Sequence, residues 1–312
     1  MLASQAIQHI AADPDPGYEV ATRWVKDFAA RMAENATDPV RAREVIVDEM
    51  RKREGDAVPS DVLRSEGELG GVRVWWVTTP NGSGSPVFMY LHSGGFLFGS
   101  VELDDLLLSR IARQTGGRAV SVDYRLAPEH PYPAALDDAV AAYRALIEQV
   151  DPSQVVVSGE SSGGGLAVLM LQAARKGGLP MPAGAVLMSP MVDYTASGST
   201  FDTNAATDFF ISREAAQGAA VAWLNRRDLQ EYSPLFNELR ELPPLLIQVG
   251  STECFHDDAR RLQARVTAAG GEAALEVYDG VHHMWHGFPA LKQAALATER
   301  VANFVHRVTR PA

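Results

Sequence analysis

Of the 312 residues only one, Cys254, is a cysteine, so the chain cannot close an internal disulfide, and no convincing metal-ligand spacing is present. No apolar run approaches the ~20 residues of a transmembrane helix, and the start lacks the basic stretch and apolar core of a secretory signal. Positive charge is also scarce. Against 39 Asp and Glu stand 28 Lys and Arg, a formal charge of −11 that repels phosphate and excludes nucleic acid or an anionic membrane surface as the natural partner. Repeats and low-complexity stretches are missing too. What remains is a cytoplasmic globular protein with no cofactor or metal implied, and 46% apolar residues suffice for a sizeable core.

Apolar runs of strand length alternate with helical patterns through most of the chain. Strands are expected near 72–79, 86–91, 118–123, 154–158, 184–189, 244–250 and 273–279, with a short one paired to the first through Gly70-Gly71. Helices are expected near 102–115, 134–149, 161–176, 255–269 and 289–308. That alternation predicts an α/β fold with a mostly parallel, eight-stranded sheet covered on both faces. Before it, Val20, Trp24, Phe28 and Met32 recur at four-residue spacing, beside Ala21, Val25 and Ala29, and predict an amphipathic helix. Asp38-Pro39 suits the start of a second helix, and Gly55 and Pro59 its end. The stretch 195–223 breaks the alternation, first small and polar, then apolar at Phe209-Phe210-Ile211.

Three loops carry chemistry. Gly159-Glu160-Ser161-Ser162-Gly163 follows the run Val155-Val156-Val157 and opens a helix, the setting of a nucleophile elbow in which a serine hydroxyl is held over a helix N-terminus. His92-Ser93-Gly94-Gly95-Phe96 follows another buried strand, and its glycines can aim backbone N–H groups at an oxyanion. Late in the chain, Glu253 and Asp257 follow one strand and His282, His283 and His286 follow the next. A serine nucleophile needs a base and an acid in that chain order. The histidines could also suggest a metal, but a hydrolytic site explains their loop better.

These loops, with Asp123-Tyr124-Arg125-Leu126-Ala127-Pro128-Glu129-His130-Pro131-Tyr132-Pro133-Ala134, resemble the hormone-sensitive-lipase-like bacterial esterases of the α/β-hydrolase superfamily. The resemblance runs from about Val72 to the C-terminus and implies an α/β-hydrolase fold with a helical cap. It implies a cap built from 1–56 and 195–223 over a catalytic domain of 57–194 and 224–312. It further implies a small-molecule ester as substrate, with short to medium acyl chains or a lactone. Ser161 is then the nucleophile, and Gly94, Gly95 and Ser162 supply the oxyanion N–H groups. Glu253 aligns with the acid, Asp257 being the alternative, and His286-Gly287-Phe288 looks like the catalytic histidine motif, His283 being the alternative. Ser93 stands where the family's loop has its first glycine, which puts the loop's conformation in question. Glu160 and Ser162 replace the usual Asp and Ala. A homodimer is compatible with the family, though no residue pattern demands it.

Overall fold

The computed structural model of the chain describes residues 7–11, 16–34, 39–54, 58–80, 82, 84–101 and 103–309. Its centre is a single nine-stranded sheet of order β1-β9-β8-β7-β6-β4-β5-β3-β2. The strands are β1 (Ile7–Ile10), β2 (Leu63–Leu69), β3 (Val72–Thr78), β4 (Val87–Leu91), β5 (Arg118–Val122), β6 (Val155–Glu160), β7 (Gly184–Met188), β8 (Leu245–Gly250) and β9 (Ala273–Tyr278). The β2–β3 and β3–β5 pairs are antiparallel and all others parallel. Every residue of β4, β6, β7 and β8 is buried, as expected of parallel strands covered on both faces.

Alternation along β4 divides the core. Val87, Met89 and Leu91 face a cluster that includes Ala139 of α4 (Ala134–Ile147), Leu166 of α5 (Ser162–Lys176) and Leu262 of α9 (His256–Ala268). Phe88 and Tyr90 face the opposite layer, with Ile111 of α3 (Asp105–Thr115) and Phe304 of α10 (Lys292–Val308).

Two helices precede the body, α1 (Pro16–Glu34) and α2 (Pro39–Glu54). The buried line of α1 is Ala21, Val25 and Phe28, whereas Val20 is 68% exposed. A strict four-residue step overshoots the 3.6-residue turn, so the stripe runs off the buried face at Val20, while Trp24 and Met32 stay packed beside Phe28. Asp38 and Gly55, expected to bound α2, lie outside the described residues. Between β7 and β8 come α6 (Thr200–Thr203), α7 (Arg213–Leu224) and α8 (Leu229–Tyr232).

One strand was not expected. Residues Ile7–Ile10 pair in parallel with β9 and make a ninth, edge strand, so the segment 1–56 is not wholly helical cap. The residues of β1 are exposed or half-buried, and IQHI carries no buried-strand signature that sequence periodicity could register.

Candidate active site

The turn after β6 brings Ser161 to the C-terminal edge of the sheet with φ 55° and ψ −122°. That strained conformation is fixed by three bonds. Ser161 N donates to Met188 O at 2.9 Å, and Ser161 O accepts from Met191 N at 3.0 Å and Gly165 N at 3.1 Å. Close passage of strand and helix requires glycine on both sides. A Cβ on Gly159 would stand 2.2 Å from Gly163 O, and one on Gly163 would stand 2.1 Å from Leu91 O.

The loop after β4 bends over the serine. Gly94 has φ 125°, and a Cβ there would lie 2.4 Å from Phe98 O, so glycine is obligatory. Gly94 O accepts from Leu97 N and Phe98 N, closing the turn. Among the described residues the N–H groups of Gly94 and Gly95 donate to no other group. Ser93, the departure from the family loop, does not take positive φ; Phe96 does instead, at 65°, anchored by stacking on Trp223 at 3.8 Å. His92 steadies the base of the loop, its ring stacked on Tyr124 at 4.1 Å and its carbonyl accepting from the Tyr124 hydroxyl at 2.7 Å.

Glu253 is fully buried after β8. Its Oε1 accepts from Gly250 N at 2.6 Å and from Ser189 Oγ at 2.8 Å, which leaves Oε2 to face His283 Nδ1 at 2.7 Å. Burial alone would raise this carboxyl, but the bond and charge of His283, with the Gly250 and Ser189 donors, hold it below the usual carboxylate range. Burial likewise works against a charged His283, and the Glu253 bond and charge, then the Asp208 and Glu160 charges, raise it above its ordinary value. Asp257 is occupied elsewhere, accepting from Ser199 N and Oγ at 2.8 and 2.6 Å.

The imidazole joined to Glu253 is thus not the expected His286. His286 is buried against Trp285, its ring 3.8 Å from the indole, and its Nδ1 lies 3.2 Å from Glu160 Oε1 without hydrogen-bond alignment. The reason is local. Met284 takes a left-handed φ of 68° directly after His283, and the 3₁₀ turn Trp285–Gly287 then carries His286 back under the loop. The His-Gly-Phe match points to a ring that the structure sets beside Glu160 rather than Glu253. His282 uses Nδ1 on the His283 carbonyl at 2.8 Å. The three histidines therefore face three different partners, and no group of three His, Cys, Asp or Glu side chains among the described residues is arranged to hold a metal. Cys254, beside the acid, is buried, and burial together with Asp208 pushes its thiol up to about 12.

A cavity of about 590 Å³ joins Ser161, Gly94, Gly95 and His283. Phe28, Met32 and Ile46 of α1 and α2 close it from one side, and Phe210 and Ile211 from another. Neither His286 nor Glu160 lines it.

The class of protein follows from where these groups stand. Ser161, Glu253 and His283 each follow a parallel strand of one mostly parallel sheet, as the serine, acid and histidine of α/β-hydrolases do. A family model described as alpha/beta hydrolase fold matches residues 88–287. An acetyl-hydrolase of Streptomyces hygroscopicus is 37% identical over 255 residues, 80% of this chain and 84% of that protein. A crystal structure of a double mutant of the esterase E40 superposes with TM-score 0.89 at 36% identity, covering 96% of this chain and all of the other. An esterase of the bacterial hormone-sensitive lipase family gives TM-score 0.85 at 36% identity, covering 92% and 99%. The chain belongs to the α/β-hydrolase fold family, and within it to the hormone-sensitive-lipase-like bacterial esterases: it is a carboxylic ester hydrolase. No helix among the described residues is long and apolar enough to cross a membrane.

Proposed function

We propose that the chain is a serine carboxylesterase for small esters of short to medium acyl chain, lactones included, working through an acyl-enzyme. Ser161 attacks the ester carbonyl while His283 Nε2 takes its proton, and Glu253 orients the ring and stabilises the imidazolium. The N–H groups of Gly94, Gly95 and Ser162 receive the oxyanion. Expulsion of the alcohol leaves the acyl-enzyme, which a water activated by His283 clears. The observation that carries this reading is the 2.7 Å contact of Glu253 Oε2 with His283 Nδ1, which turns the remaining ring nitrogen of a cavity-lining histidine over to the serine's cavity.

Chain length is argued from volume. A cavity of about 590 Å³ roofed by Phe28, Met32, Ile46 and Phe210 suits a compact acyl group better than a long one. The name of the acetyl-hydrolase relative supports the same direction. Hydrolysis of p-nitrophenyl acetate, butyrate, octanoate and palmitate by wild type and Ser161→Ala tests it. Expected are a preference for the shorter esters and loss of turnover in the variant. A palmitate optimum would overturn the size argument, and an active Ser161→Ala the nucleophile.

A further inference from the structure

We propose that Asp208, outside the reacting groups, is a positioning residue that locks the chain segment roofing the cavity to the loop of the acid and sets the pH range of the base. The proposal rests on His283 being that base.

Asp208 is 6% exposed and does not line the cavity. Its Oδ1 accepts from Phe210 N at 3.1 Å and Ile211 N at 2.9 Å, a turn that an aspartate imposes on the residues after it. Its Oδ2 accepts from Cys254 N at 2.8 Å, the residue after Glu253. One carboxylate thus holds two segments far apart in sequence. The first carries Phe210, whose ring lies parallel to His283 at 6.2 Å and stacks on Phe28 at 5.5 Å. The second carries the acid itself.

The two segments are joined along their length. Asn204 Nδ2 donates to Ser251 O at 3.0 Å and Glu253 O at 2.8 Å, Thr207 Oγ1 donates to Thr252 O at 3.1 Å, and Cys254 Sγ donates to Ile211 O at 3.2 Å. Asp208 contributes the charged member of this seam. A small residue in its place would leave three N–H donors without this acceptor, that of Cys254 buried and those of Phe210 and Ile211 half-buried.

The charge has a second consequence. The groups that bear on His283 are Glu253 from the acid loop, Asp208 from the roof segment, Glu160 from the elbow, and His282 beside it. Those that bear on Asp208 are His283, Glu253 and Cys254. Proton transfer from the serine creates an imidazolium, and Asp208 stabilises it without touching substrate.

The test uses the full chain with p-nitrophenyl butyrate, each preparation normalised to the serine titrated by an organophosphate burst. In Asp208→Asn the side chain keeps an acceptor for one segment only, and its amide NH₂ meets the N–H of the other. The expected result is a kcat lower by on the order of tenfold, with KM within about threefold, because the roof and acid loops no longer hold the ring in place. The acid limb of the kcat/KM profile also moves to lower pH, because removing a negative charge makes His283 easier to deprotonate. If Asp208→Asn does not fold, Asp208→Glu and Asp208→Ser carry the comparison: the charge-retaining variant must keep the wild-type limb and the neutral one must lose it. An unchanged limb in every neutral variant overturns the inference, provided His283→Ala is inactive. An active His283→Ala would instead overturn the assignment of the base.

Discussion

His286 meets Glu160, the residue before the serine, at 3.2 Å, both buried and away from the cavity, so the chain contains a second carboxylate–imidazole contact besides that of Glu253 with His283. Removing that ring leaves Glu160 buried without its partner and empties the space against Trp285.

His286→Ala is therefore expected to lower stability by about 3 kcal/mol, the cost of the cavity left where a fully buried ring packed on Trp285. Its turnover per folded serine should stay within about tenfold of wild type. His283→Ala should lose turnover, and it should lower the melting temperature as well, because Glu253 then stays buried without its partner. Ester hydrolysis normalised to the folded fraction read from thermal melts separates the two, and a folded, inactive His286→Ala would return the base to that position.

Glu253→Gln retains the shape that Ser189 and Gly250 hold, but it cannot stabilise an imidazolium. Turnover should fall on the order of 10³–10⁴-fold in a folded protein, as when a triad acid is replaced by its amide. Near-normal hydrolysis in that variant would rule Glu253 out as the acid.

The Glu253–His283 pair also fixes how pH acts. His283 must be neutral to serve as base, and its raised pKa means kcat/KM falls on acidification with a midpoint above the ordinary 6.5. The sign for stability is different. His283, raised on folding, contributes below 6.5 and loses that contribution as pH climbs through its raised value; Glu253, depressed, contributes above 4.5 and loses it as pH drops through its depressed value. The pair therefore stabilises most between 4.5 and 6.5, on the acid side of the activity optimum. Melting temperature and kcat/KM measured across pH in wild type and Glu253→Gln should show the offset, and Glu253→Gln should lose that acid-side stabilisation.

Arg43 of α2 reaches the body with its whole guanidinium. It donates to Leu97 O at 2.7 Å, to Ala127 O at 2.7 Å, and to both oxygens of Glu129 at 2.8 Å. Leu97 lies in the turn that Gly94 begins, so the helix is tied to the oxyanion loop. Arg43→Ala should raise KM by roughly tenfold, the worth of a charge-assisted contact, and speed proteolysis within α1 and α2. Arg43→Lys should recover little, because an ammonium cannot reproduce the fork. Unchanged KM in both would show that the tie is dispensable.

Gly94 and Gly95 should separate by their surroundings. A methyl at Gly94 meets Phe98 O at 2.4 Å, whereas one at Gly95 meets only the Ala219 side chain, at 3.2 Å. Gly94→Ala should lose activity on the order of 10²–10³-fold through the displaced donor, and Gly95→Ala considerably less. Equal losses would show that both positions respond to strain alone.

Much of this architecture was readable from the chain because the central strands are continuous apolar runs, and buried parallel strands look like that wherever they occur. The elbow and the glycine loop were readable for a related reason: glycine is needed where backbones pass within a Cβ's reach, and it stands there in sequence. The histidine that meets Glu253 was not. His283 and His286 differ in what they face by a single left-handed residue, Met284, and a methionine gives no sign that it will adopt that conformation. Asp208 was passed over because its partners are backbone N–H groups, one of them on a distant loop. The edge strand β1 escaped notice because its stability comes from pairing with β9 rather than from its own residues.

That edge strand changes how the covering of the cavity is held. Helices α1 and α2 run between β1 and β2, which are the two opposite borders of the sheet. A covering hinged on one side could swing clear like a door. This one is a span whose flanking strands are both seated in the sheet, so it is held from two sides rather than hinged on one. Arg43 adds a stay at mid-span, fastening the covering to the turn that Gly94 begins and to Glu129 of the body.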